Sequence, residues 1–364
     1  MRDYINIYNV RVSLLLLLAA VLLAACSDDA DTAEVETDVL QLVAYAQGKT
    51  DVEPTATRAD LPGYHEYKGP SSIGVYATSA EEAPASIRTF NYAVDQWRSL
   101  VNVKNDETYY IYGYMPASAD VHCNISKREG EDMKYSHGAV LSFPELPPVL
   151  GEDFCVVAGV QQLINKTDEV NLTPGVFTFT GKQTGKNFAC LMLDHLYSCV
   201  KFSFKVSEAY DKLRTIKLTK VELKTTQQIS YPLVVTMKAG EGYTVDLSDD
   251  ATPRSNVYMK LSIEEGGVPL STTVKEVAEG YFVPKSDVAE NLVLRCTYDI
   301  YDKNVTEEQP EGNLVRQNCV AENKLPTTIV AGTDQRTLLT LTVTPTYLYV
   351  LSEPDLDNPT IVVK

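Results

Sequence analysis

Residues 196–206 read LYSCVKFSFKV, and from Val200 to Val206 apolar and polar side chains alternate without a break. A β-strand points successive side chains to opposite faces, so this pattern predicts a strand with one face on a core. Similar short runs rich in Val, Ile, Thr, Tyr and Phe recur on both sides, separated by Gly, Pro, Asn and Asp. The clearest are residues 73–77, 108–115, 139–143, 154–160, 176–180, 215–224, 233–237, 281–284, 292–301, 338–344, 347–351 and 360–363.

The spacing of these runs predicts the fold class. Turn residues recur at intervals of roughly 8–12 residues, which is typical of antiparallel β-sandwiches. A chain of 364 residues is long enough for two domains. The polar segment 181–187 (GKQTGKN) is the best candidate for a boundary between them. We therefore predict an all-β protein of two tandem antiparallel β-sandwich domains, residues 59–187 and 188–364.

The N-terminus has the layout of an export signal. Residues 12–25 (VSLLLLLAAVLLAA) are apolar and end in small residues before Cys26. This run is too short to span a bilayer, for which about 20 residues are needed. Residues 23–26 (LAAC) match a lipobox, which predicts cleavage after residue 25 and attachment of lipid, such as palmitate, to Cys26. An ordinary secretory signal is the alternative. The acidic residues 27–31 that follow are predicted to be a tether.

Charge and cysteine usage narrow the function classes. The formal net charge of −17 argues against nucleic acid and against direct contact with an anionic membrane surface, so we expect membrane contact only through the lipid. Six cysteines lie beyond Cys26 without a CxxC spacing, and we favour free, buried thiols, although disulfides stay open. They are Cys123, Cys155, Cys190, Cys199, Cys296 and Cys319.

The sequence lacks the signs of an enzyme. None of the four histidines lies at a metal-ligand spacing, and no GxSxG or P-loop follows a predicted strand. We expect His195 to be a hydrogen-bonded structural residue. Trp97 could stack on a sugar, but a core position is favoured. The prediction is a protein that is not an enzyme and has no metal and no cofactor.

Residues 39–60 are the most informative part of the chain. Residues 39–46 (VLQLVAYA) have the composition of a buried strand, whereas residues 48–60 (GKTDVEPTATRAD) are polar and have no apolar pattern to fold around. Arg58 is the only arginine between Cys26 and Arg88. This arrangement predicts a strand joined to the rest of the protein by a protease-accessible linker, unless Arg58 is a chance loop residue.

With these features the chain resembles the Bacteroidetes fimbrillins, the pilus subunits that assemble by protease-triggered strand exchange. The lipobox, the strand before the linker and residues 57–59 (TRA) match that family. So do, in the same order along the chain, IGVY at 73–76, YYIYGYMP at 109–116, DHL at 194–196, VKF at 200–202 and VTPTYLYV at 343–350.

The resemblance implies transthyretin-like sandwiches and a maturation step. An arginine-specific protease would cut after Arg58, the mature protein would begin at Ala59, and residues 26–58 would be a propeptide. The strand removed with it would contain Val39, Leu40, Leu42, Val43 and Tyr45. Its loss would open an apolar groove and a sheet edge, which is a site for strand addition.

The C-terminal tail, about residues 338–364, is predicted to fill that groove on another subunit. Its two apolar pieces flank a turn rich in helix and strand breakers, and which piece enters is left open. The alternative is that the tail is the last hairpin of the second domain. The candidate donor residues are Leu339, Leu341, Val343, Tyr347, Tyr349, Ile361 and Val363.

The predicted function is that of a structural, adhesive pilus subunit. Its partners would be other pilus subunits, of its own or an accessory kind, an arginine-specific protease, and a host or bacterial surface receptor. The precursor is expected at the cell outer membrane as a lipoprotein and the mature subunit in the surface fimbria, at a shaft, tip or anchor position left open. The alternative is a non-polymerising surface lipoprotein that binds a glycan or host ligand and keeps Arg58 uncut.

Overall fold

The computed structural model describes residues 37–52, 63–79, 87–98, 100–127, 137–227, 229–249, 252–253, 258–308, 310–326 and 329–343. The strands are β1 (Thr37–Val39), β2 (Gln41–Gln47), β3 (Thr50–Val52), β4 (Tyr64–Glu66), β5 (Ile73–Ser79), β6 (Arg88–Ala93), β7 (Gln96–Arg98), β8 (Asn102–Lys104), β9 (Thr108–Met115), β10 (His122–Lys127), β11 (His137–Leu146), β12 (Val149–Leu150), β13 (Cys155–Leu163), β14 (Thr178–Thr180), β15 (Phe188–His195), β16 (Ser198–Val206), β17 (Thr215–Thr225), β18 (Ile229–Lys238), β19 (Gly242–Leu247), β20 (Thr252–Pro253), β21 (Met259–Lys260), β22 (Val268–Leu270), β23 (Lys275–Phe282), β24 (Leu292–Tyr301), β25 (Leu314–Lys324) and β26 (Gln335–Val343). The helices are α1 (Glu208–Asp211) and α2 (Ser286–Ala289).

The predicted all-β class is confirmed, and β16 shows why the alternating pattern predicts it. Val200, Phe202 and Phe204 lie in the largest core cluster, while the alternating polar residues are only partly buried: Lys201, Ser203 and Lys205. The strand pairs antiparallel with β23 on one side and parallel with β26 on the other. An interior strand with one face on the core is the arrangement that period-two alternation favours.

A β-bulge changes the alternation in β17. Ile216 and Leu218 point into the core in the first half, and Val221 and Leu223 do so in the second half. The switch from even to odd positions falls where the register with β24 shifts, between Leu218 and Lys220. An extra residue at a bulge turns the following side chains to the other face, so both halves bury their apolar side chains.

Seven strands form a closed cycle of pairings, in the order β13, β15, β2, β7, β6, β5 and β9, with β9 pairing back to β13. We call this cycle the strand ring. Two joints are short: β2 meets β7 only at Leu42 opposite Trp97, and β9 meets β13 at two residue pairs. A cluster containing Leu42, Phe90 and Leu191 packs together within the ring strands.

The sheets do not separate at residue 187. β15 follows that position, yet it pairs with β13 and β2, which precede it. β11 likewise pairs with β18 in a second sheet. A boundary at 187 therefore cuts between paired strands. The chain passes from the sheet of β15 to the sheet of β16 at the turn between His195 and Ser198, and the pairing of β11 with β18 spans that turn as well. The division into two transthyretin-like sandwiches stays a prediction.

The six described cysteines are free thiols, in agreement with the prediction from their spacing. All but Cys123 are buried. Burial raises the pKa of Cys155 and of Cys199 well above the ordinary value, because a buried thiolate loses its hydration. Within the described part of the chain, neither helix has the length and apolar character needed to cross a bilayer.

Candidate functional site

The strand predicted at residues 39–46 is present as β2, and it is an interior strand. β2 pairs in parallel with β15, from Gln41 opposite Phe188 to Ala46 opposite Leu193. Its other edge is bordered by β7 at one residue pair and by β4 at three. β1, directly upstream, pairs with β8. We call the elements that hold residues 37–52, namely β4, β7, β8, β15 and residues 335–337 of β26, the strand seat.

Both faces of β2 are packed. Leu40, Leu42 and Ala44 are at most 5% exposed and belong to the cluster of the strand ring. On the opposite face, Val43 packs in a small cluster with Leu163 and Cys190. An interior strand buried on both faces is apolar at consecutive positions, as residues 42–44 are.

The predicted strand residues differ in burial. Leu40, Leu42 and Val43 are buried, and Tyr45 is partly buried beside the small cluster. Val39, which the composition grouped with them, is 38% exposed because it lies in β1 at the margin of the seat.

The polar stretch after β2 begins with structure, so the prediction of an unstructured linker is wrong for residues 48–52. β3 pairs in parallel with residues 335–337 of β26. Thr50 donates its N–H to the carbonyl oxygen of Asp334 at 2.7 Å. The chain segment 37–52 is therefore anchored at two places, one through β2 and one through β3.

Lys49, between these strands, is 8% exposed and surrounded by acceptors. Its ammonium group donates to the carbonyl oxygens of Tyr197 and Thr333 at 3.1 and 3.3 Å. The carboxylate of Asp153 lies 3.8 Å away, and the Tyr281 ring centroid lies 5.7 Å away. We call Asp153, Tyr197, Tyr281 and Thr333 the ammonium cage. A buried cation needs such partners, since its desolvation costs several kcal/mol.

His195 is a structural residue, as predicted, and it also holds the end of β2. Its Nε2 donates to the carbonyl oxygen of Gln47 at 2.6 Å, and its Nδ1 lies 2.7 Å from a carboxylate oxygen of Asp153. The imidazole therefore links the end of β2 to Asp153, and its Nδ1 also lies 3.3 Å from Sγ of Cys155. Burial by itself would raise the pKa of Asp153, but the nearby Lys49 and His195 have the larger combined effect. The pKa of Asp153 therefore lies below its ordinary value.

Asp153, Cys155 and His195 also offer ligand atoms within 4.8 Å of one another. A metal ion there would compete with the Lys49 ammonium group, which already supplies positive charge beside Asp153. The Cys155 thiol has a pKa well above its ordinary value, and its burial opposes the thiolate that a metal requires. The arrangement is better suited to an ion-pair network that fixes residues 47–49.

A second, partly buried ion pair secures β3. Nε of Arg336 donates to Asp51 at 2.6 Å, and Nη1 of the same guanidinium group donates to Glu279 at 3.1 Å. Sequence reasoning missed Lys49, Asp51, Asp153 and Arg336. Charged residues in polar stretches read as solvent-exposed, and no local pattern marks these four for burial.

The candidate donor residues fall into two groups. Leu339 is 6% exposed in β26, and Leu341 and Val343 follow it in the same strand, paired in parallel with β16. These three residues thus complete the chain's own sheet. The other four, Tyr347, Tyr349, Ile361 and Val363, lie outside the described residues. So do Cys26, Arg58 and Ala59, whose predicted roles stay predictions.

The fold and the strand seat define an all-β protein whose upstream segment is built into its sheets. No family model matches the sequence, and no curated protein matches it. The solved structures similar to it include Bacteroidetes fimbrial and adhesion proteins. A fimbrial protein from Bacteroides vulgatus is 12% identical over 76% of this chain and 88% of its own, with a TM-score of 0.33.

Two further similar structures cover somewhat more of the chain. A candidate cell adhesion protein from Bacteroides fragilis is 10% identical over 84% of this chain and 93% of its own, with a TM-score of 0.41. The fimbrial anchor protein Mfa2 from Porphyromonas gingivalis is 10% identical over 84% of this chain and 90% of its own, with a TM-score of 0.19.

Proposed function

We propose that this chain is a surface-exposed, adhesive pilus subunit that is exported as a lipoprotein through Cys26, cut after Arg58 and polymerised by strand exchange. The observation that carries the proposal is the placement of residues 37–52. β2 is interior to its sheet, β1 and β3 pair with β8 and β26, and all three precede the connection, residues 53–62, that contains Arg58. One cut there would separate a buried strand from the rest of the protein without touching a described element.

The strand seat explains why such a cut would lead to assembly. Loss of β2 would uncover the backbone edge of β15 and would open the strand ring. It would also expose the surfaces now covered by Leu40, Leu42 and Val43. At about 1.5–3 kcal/mol for each buried side chain, these three contribute about 5–9 kcal/mol to holding the strand. A strand from another subunit could recover that free energy by occupying the same place.

The donor segment is proposed to lie after Val343. Residues 335–343 are β26, and Leu339 is part of the core of this chain. Residues 344–364 carry the remaining apolar pieces of the predicted donor tail. A subunit with both a removable strand and a donor segment can accept and donate, which would let chains grow without a covalent link.

The test is treatment of the folded protein with an arginine-specific protease. We expect the first cut after Arg58, a stable product beginning at Ala59, and, when the other pilus subunits are added, ladders that resist SDS. Arg58→Ala should prevent both the cut and the ladders, while the control variants Arg128→Ala and Arg254→Ala should prevent neither. If Arg58 resists the protease while the anchored protein binds glycans or host cells as a monomer, the non-polymerising lipoprotein is the correct description.

A further inference from the structure

We infer that the strand seat selects a donor strand that carries a lysine at the place of Lys49, and that this donor belongs to a different subunit from this chain. The inference rests on the proposed function, because the ammonium cage becomes vacant only if residues 37–52 leave. It is carried by charge complementarity between the cage and the segment that now fills it.

The cage would keep its acceptors after the segment had left. Asp153, Tyr197, Tyr281 and Thr333 all lie downstream of residue 58, so they stay with the mature protein. The two carbonyl oxygens would lose a donor, and the Asp153 carboxylate, 13% exposed, would keep His195 at 2.7 Å and the N–H of Phe154 but lose the cation 3.8 Å away. Removing one partner of a buried ion pair is strongly unfavourable, and a strand that returned only apolar side chains would leave that loss in place.

The second ion pair extends the recognition pattern. Arg336 would keep Glu279 but lose Asp51, which stands two residues after Lys49. Leu40, Leu42 and Ala44, the residues that fill the strand ring, stand nine, seven and five positions before Lys49. For a strand entering in the direction of β2, the seat therefore fits small or apolar side chains at these three positions, then a lysine, then an acid.

The tail of this chain does not reproduce that pattern. Lys364 is the one basic residue in 344–364. If Lys364 occupied the cage, Asp355, Asp357 and Pro359 would fall nine, seven and five positions before it, at the places of Leu40, Leu42 and Ala44. Two carboxylates would then enter an apolar cluster, and the proline would lack an N–H for the ladder. The seat and this tail are thus mismatched, which favours a donor from another kind of subunit.

The experiment is a competition between peptides for the protein cut after Arg58. The full chain is labelled with ¹⁵N and cut. It is then incubated with an excess of two unlabelled peptides of residues 37–53, mixed at equal concentrations, one native and one carrying Lys49→Met. Mass spectrometry of the purified complex gives the ratio bound. We expect a preference of about 100-fold for the lysine peptide, the size that loss of a buried ion-pair partner produces. The control peptide Val39→Met, changed at an exposed position, should bind within about threefold of the native one.

Two further measurements separate the causes. In the Asp153→Asn protein the preference for lysine should fall below about tenfold, and a peptide of residues 344–364 should bind far more weakly than residues 37–53. If the Lys49→Met peptide binds the unaltered protein as well as the native peptide does, the lysine requirement is overturned. Tight binding of the peptide of residues 344–364 overturns the choice of partner. Absence of any cut or exchange refutes the proposed strand exchange itself, whereas exchange without a lysine preference refutes only this inference.

Discussion

Shortening Leu42 should loosen the cut N-terminal segment from the mature protein. Leu42 is 5% exposed, packs in the cluster of the strand ring and stands opposite Trp97, where β2 and β7 meet. A buried Leu→Ala change costs about 2–5 kcal/mol, because it removes apolar contacts and leaves a cavity. At 1.4 kcal/mol for each factor of ten, Leu42→Ala should weaken the hold on the cut segment by about 30-fold to several thousand-fold.

The assay is release of the segment after cleavage at Arg58. The cut protein is mixed with an excess of isotopically labelled peptide of residues 37–53, and mass spectrometry follows replacement of the original segment with time. Leu42→Ala should release it much faster than the wild type. Val39→Ala is the matched control, because Val39 is 38% exposed and its truncation should change release by about twofold at most.

Unchanged release would contradict retention of the segment by the strand seat. If Leu42→Ala and Val39→Ala released the segment at the same rate as the wild type, burial of β2 would not be what retains it. Faster release should also be accompanied by faster growth of ladders, since an emptied seat accepts donors sooner. Fast release without growth would leave the seat correct and the polymerisation proposal wrong.

Three other predictions concern the ion pairs, the thiols and the tail. Asp153→Asn should lower the free energy of unfolding at pH 7 by about 3 kcal/mol. The pKa of Asp153 is lowered in the folded protein, so the ionised carboxylate stabilises the fold above its ordinary pKa of 3.8, and this stabilisation is lost as the pH falls through the pKa of the folded state. Denaturation at pH 7 and at pH 3 should therefore show a smaller loss of stability on acidification in the variant than in the wild type. Burial raises the pKa of Cys155 and Cys199 well above the ordinary value, so iodoacetamide at pH 8 should label them only after unfolding, and labelling of the native protein would contradict their packing. Truncation after Val343 should leave a folded subunit that accepts a donor strand but provides none. Truncation after Thr337 removes most of β26 and should lower the melting temperature. Equal stability of the two truncated proteins would mean that β26 contributes little to stability.

The strand ring gives β2 an importance that its length does not suggest. β2 is seven residues long, yet it stands between β15 and β7 in the cycle of pairings. With β2 absent, β15 and β7 would have no strand between them, and the ring would become an open sheet with two edges. Open edges are templates for strand pairing, which links the topology directly to assembly.

Local sequence patterns are sufficient to predict the strand content and the buried character of β2. Alternation in residues 200–206 and the apolar run at 39–46 are local patterns, and a strand's side-chain period is a property of its own backbone. These patterns were enough to predict an all-β chain and a buried segment ahead of Arg58. They could not fix the limit between sheets near residue 187, because both hydrogen-bond partners of β15, namely β13 and β2, lie on the other side of that position along the chain.

Which strands become neighbours and which charges become buried depends on contacts between residues far apart in the sequence. Leu42 meets Trp97 far along the chain, and Lys49 donates to carbonyl oxygens 148 and 284 residues away. A lysine in a polar stretch carries no local sign of such partners, since its burial depends on acceptors that folding brings together. Leu339 lies in the core of its own chain. The sequence alone could not show this, because an alternating strand has the same pattern whether its sheet belongs to its own subunit or to another.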